Sequence, residues 1–162
     1  MTGQLSLGNR QHTHPVNLRL LRKLVVAVIR ELQGQRDYAL GIYVVSAREM
    51  ARLNETFLRH SGPADVITFD YAEPPERSLH GEILVCIDVA IAQASRFRTS
   101  WSCELFRYVV HGLLHLHGFD DLRPAARRKM KRVENRLVRQ WARRVNLDLL
   151  AGKRLEQRRR FS

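Results

Sequence analysis

Apolar residues along this chain switch between the period of a strand and the period of a helix. Leu5 to Arg10 reads as a first strand. Leu18, Leu21, Val25, Val28, Ile29 and Leu32 then recur at helical spacing, with Pro15 suited to the first turn and Gly34 to the stop. Leu40-Gly-Ile-Tyr-Val-Val45 is β-branched and aromatic, hence a strand. Ser46 and Glu49 have the spacing of a capping box before a short helix through Met50, Leu53 and Phe57. Val66 to Phe69 is a short strand. Glu82 to Ile87 is another, and its unbroken apolar run predicts a central position buried on both faces. Asp88 can cap a helix through Ala90, Ile91 and Ala94, and Ser102 one that runs to about Leu116. Pro124 opens a last long helix with Met130, Val133, Leu137, Val138 and Trp141 on its inner face.

The order β-α-β-α-β-β-α-α-α predicts an α/β (α+β) fold in a single domain, a mixed four-stranded sheet surrounded by about five helices. The strand–helix–strand start implies parallel strands, and the two middle strands should pair antiparallel. No linker divides the chain, so residues 1–150 are expected to form the domain and 151–162 a basic tail. The 162 residues can bury a core without help from a metal or disulfide. Two scattered cysteines, Cys86 and Cys103, suggest free thiols in a reducing cytoplasm. No apolar run reaches the ~18 residues of a membrane span, and the first twenty residues lack an export signal.

Charge adds a direction. Residues 1–121 balance 13 basic against 13 acidic side chains, whereas 122–162 hold 15 basic against three acidic. The whole surplus of twelve lies at the C-terminal end, where a polyanion would bind with strong salt dependence.

The candidate chemistry sits just before that surplus. His111 and His115 are four residues apart, so in a helix both imidazoles leave one face within about 40° of each other. Gly118 stands where helices end in a left-handed residue, and the chain can return through Phe119-Asp120-Asp121 to the open side of an ion. Asp121 is the candidate third ligand and Asp120 its rival. Two imidazoles and a carboxylate suit one zinc ion and leave a fourth position for water, the arrangement of catalytic zinc. His117 points round the other side of the helix. Zinc proteases place a glutamate base after the first histidine; here that position is Gly112, which sets a protease aside.

The segment His111-Gly-Leu-Leu-His115-Leu-His-Gly118-Phe-Asp-Asp121 resembles the H-G-x-L-H-L-x-G-[YF]-D-[HD] signature of the YbeY family of rRNA-maturation endoribonucleases. Leu53-Asn54, Phe57 to His60 and Ala64-Asp-Val-Ile-Thr-Phe69 resemble its upstream block, Gly81-Glu-Ile83 its G-[DE]-I, and Met130 with Glu134 its late M-x-x-x-E. Three positions depart from the pattern. Asp121 replaces the commoner histidine, Leu58 stands where an arginine follows the aromatic so that Arg59 comes one place late, and Ala64 replaces threonine.

The resemblance implies a metal-dependent, single-strand-specific endoribonuclease acting in 16S rRNA 3′-end processing and ribosome quality control in the cytoplasm. Its partners would be RNA and the small ribosomal subunit, with ribosomal proteins or an assembly GTPase as further candidates. Arg59 could neutralise a phosphate and His60 donate a proton. Asp65, Thr68 and Asp120 are candidates for orienting ligands or contacting substrate. The second reading is a ribosome-associated assembly factor, with a mainly structural metal and a basic RNA-binding surface.

Overall fold

Side-chain alternation on strand β1 (Gly3–Asn9) turns Leu5 inward and leaves Gln4 and Ser6 in water. That inward face continues across the sheet and decides where the helices pack. The computed structural model describes residues 3–33, 37–58, 64–73, 75 and 78–152. In it β1 pairs parallel with β2 (Tyr38–Val45), and β2 parallel with β4 (Leu79–Cys86). β3 (Val66–Asp70) pairs antiparallel with β4, giving the order β1-β2-β4-β3. The expected mixed four-stranded sheet is therefore present, with β4 inside it.

One face of the sheet carries Leu5, Leu40, Ile42, Val44, Ile83 and Val85. Onto it pack α1 (Leu18–Gln33), α4 (Trp101–Leu116) and, outside α4, α5 (Pro124–Arg144). The other face is smaller. Met50 of α2 (Ala47–Leu53) closes it against Val45, Ile67, Leu84 and Cys86. α3 (Ile87–Phe97) leaves the end of β4 directly and sends Ala90 into the main core.

Gly112 sets how closely α4 approaches the sheet. A Cβ there would lie 2.6 Å from Ile83 Cγ2, so only glycine lets the helix axis come this near. Ile83 in turn faces Thr68 of β3 in the register. The sheet thus acts as the floor on which the histidine helix rests.

Several helix starts differ from the sequence expectation. Pro15 precedes α1 rather than opening it. Asn17 is the residue whose side chain accepts the Leu20 amide, while Pro15 and Val16 pair with Gly152 and Ala151. Asp88 does not cap α3. Its carboxylate reaches across to accept the Ala47 amide at 2.6 Å, so it braces α2 instead. Ser102 is buried inside α4, and Ser100 is the cap, accepting the Cys103 amide. Ser46 caps α2 as expected, but Glu49 turns to Arg10 at 3.3 Å rather than back to the cap. For Pro15, Asp88 and Glu49 a partner distant in sequence took the group from its local role, whereas for Ser102 burial did so.

Cys86 and Cys103 are free thiols, and burial pushes both upward in pKa. Among the described residues no helix is long and apolar enough to cross a membrane. Gly34 and residues 153–162 of the basic tail lie outside the described residues.

Candidate metal centre

Helix α4 ends in a turn that brings a carboxylate back over its own histidines. Phe119 donates its amide to Leu114 O and Gly118 to His115 O, both at 3.0 Å, the paired bonds of a Schellman motif. Gly118 takes φ +96°, a backbone that side chains rarely adopt. Phe119 then packs against the core, and the chain doubles back. His117 closes the helix end, its Nδ1 2.7 Å from Leu113 O.

The two aspartates after the turn divide the work. Asp120 accepts the amide of Leu122 at 2.8 Å, so its carboxylate is spent on the turn. Asp121 faces the helix. Its Oδ2 lies 3.4 Å from His115 Nε2 and 3.7 Å from His111 Nε2, and the two Nε2 atoms are 3.1 Å apart. The imidazoles meet nearly edge to face, at 78°.

These distances can be tested against an ion. A tetrahedral zinc with bonds of ~2.1 Å holds its ligand atoms about 3.4 Å apart. The three measured sides bracket that value, and the circle through the three atoms has a radius of about 2.0 Å, close to the bond length itself. Two neutral nitrogens and a carboxylate oxygen also form the donor set that suits such a cation. The group fits one small divalent ion. Its side chains are about a third exposed, so one side of the triangle opens to solvent.

The tautomer of His111 is set from beneath. His111 Nδ1 lies 2.8 Å from Glu134 Oε1, and a carboxylate partner there leaves Nε2 as the free lone pair. Glu134 is 2% exposed and is also held by Arg107 at 2.9 Å and Lys131 at 2.8 Å. Burial alone would raise the Glu134 carboxyl, but hydrogen bonds from His111, Lys131 and Arg107 hold it down at about 2. Burial alone would lower His111, yet the hydrogen bond and charge of Glu134, with Asp65 and Asp121 behind it, raise it. Sequence reasoning assigned neither Glu134 nor Arg107 to the site. The available signal was the motif glutamate itself, a single acid among nine basic residues of α5.

The remaining sequence candidates divide. Asp65 accepts the Val66 amide at 2.8 Å, and its charge reaches His111 and Tyr108. Thr68 stands mid-β3 opposite Ile83, on the sheet face that α4 covers. Arg59 and His60 lie outside the described residues. Beside the triangle, a cleft is walled by Arg127, Arg128 and Lys131 with Met130 and Glu134.

A family model described as Endoribonuclease YbeY matches residues 6–142. The chain belongs to the endoribonuclease YbeY family. A YbeY relative from Chlorobium luteolum is 38% identical over 116 residues, covering 70% of this chain and 83% of the relative. One from Salinibacter ruber is 34% identical over 138 residues, covering 79% and 87%. Among solved structures, the solution structure of TM1509 from Thermotoga maritima superposes with a TM-score of 0.59 at 25% identity, covering 93% of this chain and all of that one. Family members are hydrolases acting on RNA and depend on a metal, and the His-His-Asp group here could hold one.

Proposed function

We propose that this YbeY-family chain is a zinc-dependent endoribonuclease that hydrolyses single-stranded RNA in the maturation of the small-subunit rRNA 3′ end. Ribosome quality control in the cytoplasm is the proposed setting. The observation that carries the reading is the triangle of His111, His115 and Asp121, sized for one ion and open on one side. A purely structural zinc site is closed by four protein ligands. Among the described residues this one has three, which favours the enzyme over the assembly-factor reading.

His111, His115 and Asp121 would hold the ion, which when bound supplies Lewis acidity toward a phosphate oxygen and makes water a nucleophile near neutral pH. Glu134 would hold the proton of His111 at Nδ1 and so turn Nε2 toward the ligand position, while Arg107 and Lys131 keep Glu134 charged. Gly112 contributes no proton acceptor; its role is close packing. Arg59 is assigned to a phosphate oxygen and His60 to proton donation. Asp65 and Thr68 are assigned to the substrate side of the ligands, and Asp120 to the turn that presents Asp121. The basic face of α5 would neutralise the RNA backbone without reading bases.

The test is cleavage of a short single-stranded RNA by His115→Ala. The variant should lose its ion and its cleavage while staying folded. Cleavage that persists in His115→Ala or in rigorously metal-free protein would overturn the mechanism. Elemental analysis showing one equivalent of nickel, or no metal, would count against zinc.

A further inference from the structure

Helix α5 breaks an elementary rule where it passes the metal triangle. The N-terminal end of a helix carries partial positive charge, and acidic residues stabilise it there. α5 has none in its first turn. Instead Arg123, Arg127, Arg128, Lys129 and Lys131 crowd cations onto the positive end. Local rules broken in this way mark places where function overrides stability.

The cations do not all face the same way. Lys129 lies over the Phe119 ring, 5.9 Å from its centre. Arg127, Arg128 and Lys131 line one cleft, and His111 and Asp121 line the same cleft. Arg127 Nε donates to Asp121 O at 3.0 Å, which ties the wall to the loop that presents the third candidate ligand. Lys131 is shared with Glu134. Arg128 makes no hydrogen bond or ion pair among the described residues and is exposed. A cationic wall continuous with a metal triangle matches a chain of phosphates, one at the triangle and the next along the wall.

We propose that Arg127, Arg128 and Lys131 form a subsite for the phosphate next to the scissile one, which fixes the register in which a single-stranded RNA enters the cleft. The inference rests on the endoribonuclease reading above and adds the residues that grip the strand. Such contacts are made equally before and during reaction, so they act on KM rather than kcat.

The test compares wild type with Arg128→Ala and Arg128→Glu, each loaded with zinc and checked for equal metal content. Arg128→Ala should raise KM for a short single-stranded RNA about tenfold, leave kcat within about twofold, and lower the slope of log KM against log salt by about 0.7. Arg128→Glu should raise KM further. A neutral methylphosphonate is then placed in turn on either side of the scissile phosphate. On one side it should cost wild type the same factor and cost Arg128→Ala nothing more. Equal KM and slope in all three proteins, fully additive losses on both sides, or loss of metal in Arg128→Ala would each overturn the subsite. If wild type binds the RNA without cutting it, the endoribonuclease reading fails alone, and the same comparison by equilibrium titration still decides the wall. If wild type does not bind the RNA, both fail.

Discussion

Replacing Glu134 by glutamine removes the charge on which three cationic or proton-donating partners converge. The substitution keeps the shape and one acceptor oxygen, so His111 can retain its hydrogen bond. The new amide, however, presents N–H groups to Arg107 and Lys131, and both lose their counter-charge. The Glu134 carboxyl stands at about 2 against an ordinary 4.5, in spite of burial that alone would raise it. That gap corresponds to about 3 kcal/mol of native-state preference for the charged form. The side chain is only 3% exposed, so solvent screens little of it. Because the folded value lies below the unfolded one, the stabilisation is fully present above pH 4.5 and is lost as pH falls toward about 2. Urea denaturation of metal-free protein, at neutral pH and through that acid window, reads both effects. Glu134→Gln should be less stable by about 2–3 kcal/mol at neutral pH and should show a flatter acid limb than wild type. Its zinc affinity should fall about 10- to 100-fold. A stability loss below about 0.5 kcal/mol, with an acid limb parallel to wild type, would refute the reasoning that this carboxylate is an electrostatic hub.

Asp121→Asn should weaken zinc binding at least about tenfold by calorimetric titration. Asp120→Asn should leave it unchanged, because asparagine still accepts the Leu122 amide; the opposite pattern would reverse the ligand assignment. Gly112→Ala should lower thermal stability by about 1–3 kcal/mol, since its Cβ would enter Ile83. An unchanged Tm would contradict the close contact. Removing metal with a chelator should leave far-UV circular dichroism and cooperative unfolding intact, because the core closes without the site. Unfolding on chelation would make the metal structural.

Much of the fold was legible because its signals are local and repeated. The apolar run at Glu82–Ile87 placed β4 inside the sheet, and the Leu18–Leu32 spacing found α1. What failed were choices that hang on tertiary surroundings, a distant partner or burial. Asp88 sits at a helix start and reads as a cap, but the Ala47 amide, 41 residues away in sequence, takes its oxygen. Ser100 and Ser102 are equally good caps on paper; burial of Ser102 decides between them. Glu134 matched a motif but carried no role, because its partners Arg107 and His111 lie 27 and 23 residues earlier.

For the candidate site the division is sharper. The residues alone determined that two imidazoles would share a helix face, that the chain would turn at Gly118, and that an acid would follow. Those are consequences of helical pitch and of glycine's freedom at positive φ, and both are local. Which aspartate turns inward, how wide the triangle is, and what steadies His111 were decided by the tertiary structure. Asp120 is consumed by its own turn, α4 is drawn down on Gly112, and α5 lays Glu134 and a cationic wall beside the histidines. Each depends on packing between elements far apart in the chain, and no spacing rule encodes that distance.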